Sequence, residues 1–146
     1  MKWYKQSEQR LRDYEGRKEA LVNIPIQIKT LEDQYTSIRS ATTDATPVQG
    51  GSDNRREEML VSNIAERDEL NFNLKIVKRE VFLTEKGLKA LTEEEQKILE
   101  KFYIVKSRQS VERICEELLV SRAEFYRRKD EALRKFTIAV YGVVDL

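Results

Sequence analysis

The sequence predicts an all-α protein, with a long, coiled-coil-like N-terminal helical hairpin followed by a C-terminal helix-turn-helix domain. Close to half of the 146 residues are Ala, Glu, Lys, Leu or Arg, a composition typical of long helices. Apolar residues recur at spacings of three, four or seven along two stretches that a polar loop separates. The last third of the chain holds three shorter helical patterns, the final two joined by a very short turn. We therefore place a hairpin at residues 1–90 and a second domain at residues 91–146.

The first helix of the hairpin is predicted over residues 3–39. Pro25 lies inside it, and because proline lacks an N–H and clashes with the preceding turn, we expect one segment to end at Asn23 or Ile24 and another to begin at Pro25. Trp3 and Tyr4 either pack onto a partner helix, the preferred interpretation, or anchor another protein. The apolar stripe of this helix comprises Leu11, Tyr14, Leu21, Ile24, Ile28, Leu31, Tyr35 and Ile38.

Residues 40–54 are rich in Ser, Thr, Gly and Asp, and are predicted to form the loop of the hairpin. A second long helix is predicted over residues 55–90. Neither helix can bury its stripe alone, so we expect them to pair, and to act in homodimerisation, higher homo-oligomerisation or partner binding. Gly87 is expected to loosen the junction so that the two parts move as hinged bodies. The second apolar stripe comprises Leu60, Ile64, Leu70, Leu74, Val77, Val81 and Leu88.

Three short helices are predicted within residues 92–136. The first runs from Thr92, its N-cap, to Tyr103, and the second spans residues 111–118 behind the N-cap Ser110. Leu119-Val120 forms the short turn, and the third helix begins at Ser121, where Ser121 and Glu124 match a capping box. The residues expected to be buried are Ile98, Leu99, Phe102, Val111, Ile114, Cys115, Leu118, Phe125, Ala132, Leu133 and Phe136.

Two short helices, a tight turn and a basic second helix form the pattern of a DNA-binding helix-turn-helix. Arginines on the last helix can fork onto guanine or phosphate, and a tyrosine can contact a phosphate or a thymine methyl. The alternative is an amphipathic helix with a solvated basic face. The turn, the capping box and the core spacing favour DNA. Residues 106–136 hold nine Lys/Arg and six Asp/Glu in a chain of net charge +1, which indicates a sequence reader more than a nonspecific coater.

The predicted outward face of the third helix, residues 121–136, enters the major groove of double-stranded DNA. The side chains expected at base edges or nearby phosphates are Ser121, Arg122, Ala123, Tyr126, Arg127 and Asp130. Those expected to hold the DNA backbone are Lys106, Arg108, Arg113 and Lys129, with pairing to Glu116 or Glu117 as the alternative for Arg113. The guanidinium at position 127 should then be accessible, not held against the protein's own carboxylates. A dimer formed through the hairpin would place two such helices about one DNA turn apart.

Other classes of function have little support in the sequence. The chain has no histidine and one cysteine, and no nucleophile–base set or metal-ligand cluster stands out, so we expect neither an enzyme nor a bound cofactor or metal. Cys115 is expected to be a small buried residue. No signal peptide is visible and no stretch approaches the ~18 apolar residues of a membrane span. A cytoplasmic protein without membrane contact is the expectation.

The pattern Leu91-Thr92-x-x-Glu95-x-x-Ile98-Leu99, with Ser110-Val111, Val120-Ser121 and Phe125-Tyr126-Arg127-Arg128, resembles the sigma-factor region-four helix-turn-helix of small phage regulators of the ArpU/RinA kind. The family often has Gly at the position of Leu119. A branched residue with positive φ is strained, so either the turn differs here or a strain cost is accepted. The resemblance implies an activator of late phage or prophage genes in a bacterial host, and contact with RNA polymerase. Alternatives are a DNA-packaging protein resembling a small terminase subunit and a helical protein-interaction module.

Overall fold

A computed structural model describes residues 2–41, 52–105 and 110–144, and the regular secondary structure in those ranges is helical, with no strand. The all-α prediction is therefore confirmed. Residues 40–41 and 52–54 of the predicted loop are helical instead. The rest of that loop, residues 42–51, lies outside the described ranges. No helix in the described ranges is both long and apolar enough to cross a membrane. The elements are α1 (Lys2–Ala41), α2 (Ser52–Lys89), α3 (Glu93–Leu99), a π-helical segment (Glu100–Ile104), α4 (Val111–Leu118) and α5 (Arg122–Tyr141).

The break expected at Pro25 is absent, since α1 continues through the proline. Pro25 and its neighbour Ile26 lie on the exposed side of α1, whereas Ile24 is buried. The helix carbonyl that a proline deprives of its partner can be hydrated on an exposed face, so the lost hydrogen bond does not have to end the helix.

The chain forms two compact units. The larger unit comprises Met1–Lys18 and Arg79–Leu146, and the smaller unit comprises Glu19–Lys78. This division differs from the predicted boundary between residues 90 and 91, because the ends of both long helices pack with the C-terminal helices. The main core of the larger unit comprises Leu11, Leu88, Leu91, Leu99, Tyr103, Ala132, Leu133 and Phe136. Most of the stripe predicted for α3, α4 and α5 is buried, while three of its members are only half-buried, namely Phe102, Val111 and Leu118.

α5 is longer than predicted and continues five residues beyond Phe136. Thr137 is fully buried, and Val140 packs against the main core. The helix ends at Gly142, whose φ of 83° closes the last turn with an N–H donated to the Ile138 carbonyl at 2.8 Å. The ring of Trp3 lies 5.0 Å from the ring of Tyr141, so the packing interpretation holds for Trp3.

Gly87 is a point of close helix approach, which corrects the hinge expected there. A Cβ added at this position would lie 2.6 Å from Cγ2 of Val140 and 2.7 Å from Cε2 of Phe136. The glycine lets α2 and α5 approach more closely than any larger residue would allow. Gly87 therefore permits close packing of α5 against α2 and does not act as a hinge.

A buried polar network also joins α1, α2 and α5 in the larger unit. Arg10 is buried, with 8% of the residue exposed. Its guanidinium lies 2.5 Å from the Glu80 carboxylate and donates to the Tyr141 hydroxyl at 3.1 Å. The hydroxyls of Thr137 and Ser7 are hydrogen-bonded at 2.8 Å, and the Thr137 hydroxyl also bonds to the Leu133 carbonyl at 2.7 Å. Because a buried charge or hydroxyl is costly without a partner, this network favours a single placement of α5.

The smaller unit is a pair of helical segments with little core. Ile24 and Asn63 are its buried residues within the described ranges. The predicted stripe of α2 is wrong at Ile64, which is 41% exposed. Asn63 takes the inward position instead, and its amide donates to the Leu31 carbonyl at 2.8 Å. A polar side chain can occupy that place because the bond to Leu31 satisfies it.

Candidate nucleic-acid interface

α3 and the π-helical segment form the base on which α4 and α5 rest. Thr92 caps α3 through a complete capping box with Glu95. The expected single helix to Tyr103 is corrected, because a π-helical turn follows Leu99 and the Val105 N–H donates to the Glu100 carbonyl at 2.9 Å. Phe102 in this turn packs its ring 5.9 Å from that of Phe125. The turn thus supplies the aromatic surface that supports α5.

α4 and its turn have the predicted bounds. The Ser110 hydroxyl accepts the N–H of Arg113 at 3.3 Å, and Ile114 and Cys115 face the second core cluster. Leu119 adopts φ 57° and ψ 44°, so the chain accepts the left-handed conformation that suits glycine. Its side chain is 91% exposed, so no burial offsets that strain. The Val120 N–H donates to the Cys115 carbonyl at 3.1 Å and completes the turn.

The capping box expected at the start of α5 forms only in part. The Ser121 hydroxyl accepts the Glu124 N–H at 3.2 Å, which confirms Ser121 as the N-cap. The Glu124 carboxylate accepts instead from Arg127 at 2.6 Å and from Arg128 at 2.8 Å. Hydrogen bonds from Arg127, then Arg128, lower the pKa of Glu124 to about 2. A charge-assisted bond to arginine is stronger than a bond to a neutral N–H, which accounts for the choice.

The first turn of α5 is open to solvent. Ser121, Arg122 and Ala123 are all exposed. The Arg122 guanidinium lies 5.9 Å from the ring centroid of Tyr126, a cation–π contact, and forms no ion pair with the described residues. An unpaired arginine at a capped helix N-terminus is available to an anion, and the helix dipole adds to its attraction.

Arg127 meets only part of the expectation. Its side chain is 61% exposed, as the prediction requires, but its guanidinium is paired with Glu124 at 2.6 Å and with Glu131 at 3.4 Å. These are carboxylates of the protein itself, so Arg127 can reach DNA only by leaving them. Exposed ion pairs of this kind are weak and are screened by salt, so the exchange is feasible.

Lys129 does not lie on the outward face as expected. Its side chain is 15% exposed, and its Nζ lies 4.8 Å from the Phe102 ring centroid and 5.4 Å from that of Tyr126. The ammonium also pairs with Asp130 at 3.2 Å, and Asp130 is exposed. Lys129 therefore packs against aromatic rings beneath the exposed face of α5 and adds little positive charge to that face.

The other predicted contacts of the DNA backbone are only partly described. Arg113 is 70% exposed, and its Nε lies 4.0 Å from Glu117, whose carboxylate also pairs with Lys101. The alternative of a pair with Glu117 is thus present, but in a loose form. Lys106 and Arg108 lie outside the described residues.

Sequence reasoning missed Arg134, which is exposed and forms no ion pair with the described residues. It follows Arg127 by seven residues, or two helical turns, so both lie on the same side of α5. The helical repeat could have identified it. The exposed face of α5, hereafter the α5 face, comprises Arg122, Ala123, Tyr126, Arg127, Asp130 and Arg134.

The structure therefore defines an all-helical protein with a C-terminal helix-turn-helix unit. Residues 37–137 match the model of the DUF1492 family, whose description is "Protein of unknown function". Since this match covers more than half of the sequence, the chain belongs to the DUF1492 family. Neither the curated proteins nor the solved structures include a significant match.

Proposed function

We propose that this protein binds double-stranded DNA in a sequence-specific way and regulates transcription, with the α5 face in the major groove. The observation that carries the proposal is the first turn of α5, where Arg122 is exposed beside the N-cap Ser121 and has no carboxylate partner among the described residues. Recognition helices of this class contact base edges with their N-terminal residues. Arginine is the residue that most often reads guanine there.

The mixed charge of the α5 face supports selective binding over uniform binding. Asp130 is exposed on the face, and Glu124 and Glu131 hold the Arg127 guanidinium beside it. Carboxylates near phosphates weaken binding to any sequence, so an arginine–base contact has to compensate. Arg127 would leave its carboxylate partners only at a DNA sequence where its contact with a base is more favourable than the ion pairs that it gives up.

The resemblance to ArpU/RinA regulators supports a narrower proposal, an activator of late phage or prophage genes. Apart from Arg127 and Arg128, the residues that carry this resemblance form the caps and cores of α3, α4 and α5. A region-four-like unit also supports contact with bacterial RNA polymerase. We further propose that the protein has no catalytic activity of its own.

Selection of bound fragments from the native genome tests the proposal. The full chain should enrich one or a few sites, and Arg122→Ala should weaken binding to them roughly ten- to hundredfold. Lys18→Ala is the matched control, because it removes one exposed positive charge from α1, and among the described residues this charge contacts the Tyr14 ring and forms no ion pair. Equal losses in the two variants, or equal losses on all sequences, would reassign Arg122 to general electrostatic attraction.

Measuring the size of the same sample separates regulation from packaging. A dimer bound upstream of a gene supports a regulator. A ring of many copies that binds one packaging site would instead favour a protein resembling a small terminase subunit. Failure to retain any fragment even at low salt would remove DNA binding altogether.

A further inference from the structure

Within its described residues, the smaller unit leaves more large apolar side chains exposed than it fully buries. Its buried residues within the described ranges are Ile24 and Asn63. Two helices with so small a core do not bury enough apolar surface to be stable alone. The large apolar side chains that remain exposed there, by 41–66%, are Val22, Ile26, Met59, Val61, Ile64, Phe72 and Ile76.

Part of this apolar surface forms a stripe along α2. At 100° per residue, Val61, Phe72 and Ile76 fall within about 60° of one another around the helix axis. Asn63, which bonds to Leu31 of α1, lies on the opposite side. Nothing in the described part of the smaller unit covers the stripe. Phe72 is 65% exposed and alone leaves roughly 100–160 Å² in water.

Two opposite charges lie on the same stripe, one on each side of Phe72. Asp68 precedes it by four residues, and Lys75 follows it by three. Both side chains are exposed, and neither forms an ion pair with the described residues. Their separation of seven residues, two helical turns, keeps them on one flank of the helix.

We propose that this stripe pairs with the same stripe of a second copy of the chain, with the two α2 helices antiparallel and Phe72 near the two-fold axis. In this arrangement Asp68 of each copy lies beside Lys75 of the partner subunit, and the symmetry forms the pair twice. A parallel pair would instead put the two Asp68 side chains at one level and the two Lys75 side chains two turns away, so the opposite charges would not meet. The two copies together withdraw two phenylalanines and their aliphatic neighbours from water.

Sedimentation velocity of the full chain over a concentration series tests this pairing. The surface is at the small end of specific interfaces, so the dissociation constant should be on the order of 10 µM. Phe72→Glu should raise that constant at least about thirtyfold. Val22→Glu is the matched control, because Val22 is 63% exposed on α1 and lies off the stripe. It should dimerise like the unchanged chain, and circular dichroism checks the helix content of both variants.

A charge exchange tests the antiparallel orientation. Asp68→Lys and Lys75→Asp should each weaken the dimer about tenfold, and the double variant should recover most of that loss. A chain that stays monomeric at several hundred micromolar would overturn the proposal and leave the stripe to a different protein. A dimer unaffected by Phe72→Glu, or a double variant without recovery, would also overturn it. None of these results depends on DNA binding, so the two proposals fail separately.

Discussion

Gly87→Ala is the sharpest test of how α5 is fixed in the larger unit. The new methyl group would lie 2.6 Å from Cγ2 of Val140 and 2.7 Å from Cε2 of Phe136, well inside van der Waals contact. The Phe136 ring is fully buried, so it has little room to move. Overpacking of this kind costs about 1–3 kcal/mol. The helix preference of alanine over glycine returns about 1 kcal/mol, so the variant should lose up to about 2 kcal/mol of unfolding free energy.

Gly16→Ala provides the matched control for this variant. Gly16 also lies inside a long helix, but a Cβ there would meet no neighbouring atom of the described residues within 4 Å. The same substitution should therefore stabilise the protein by about 0.5–1 kcal/mol. Urea unfolding followed by circular dichroism measures both changes. If Gly87→Ala stabilised the chain as much as Gly16→Ala, the close packing of α2 on α5 would be wrong and a hinge at Gly87 would return.

Three further substitutions test single features of the helix-turn-helix unit. Leu119→Gly should stabilise the protein by about 0.5–1 kcal/mol, because it relieves left-handed strain and loses no burial; unchanged urea unfolding would contradict the strain. Tyr103→Phe should stabilise the protein by about 1 kcal/mol in the same assay, because the buried Tyr103 hydroxyl has no hydrogen-bond partner in the described structure. A lower unfolding free energy in this variant would mean that the hydroxyl does have a partner. Glu124→Gln should release Arg127 from the closer of its two carboxylate partners and tighten DNA binding more than Glu116→Gln does. Glu116 is the control because its carboxylate is exposed and forms no ion pair with the described residues. Because the pKa of Glu124 is lowered to about 2, its contribution to stability is full above pH about 4.5 and is lost as the pH falls towards 2; Glu124→Gln should remove that acid-dependent loss from the unfolding curve.

Local patterns in the sequence predicted most of the fold. The spacing of apolar residues identified every long helix, and hydroxyl caps located the starts of α3, α4 and α5 at Thr92, Ser110 and Ser121. Where the prediction failed, a tertiary contact or solvent exposure overrode the local rule. Pro25 stays inside a helix on an exposed face, and Gly87 serves close packing although glycine in a helix usually indicates flexibility.

The candidate site was predictable in its position and less so in its charges. The sequence placed Arg122 and Arg127 on one face, and both are exposed. It could not indicate that Glu124 and Glu131 hold Arg127, since helical spacing makes several partners available to the same guanidinium. The inward turn of Lys129 depends on the Phe102 ring, which a π-helical turn positions and no short-range pattern signals.

Retention of native genomic fragments by the full chain, compared with its Arg122→Ala variant at the same salt concentration, tests the central claim most directly. If the protein binds DNA through the first turn of α5, the unchanged chain should enrich one site or a small set of sites. The enrichment of those sites should fall at least about tenfold in the variant. Equal enrichment by the two proteins, or no enrichment by the unchanged chain at low salt, would contradict it.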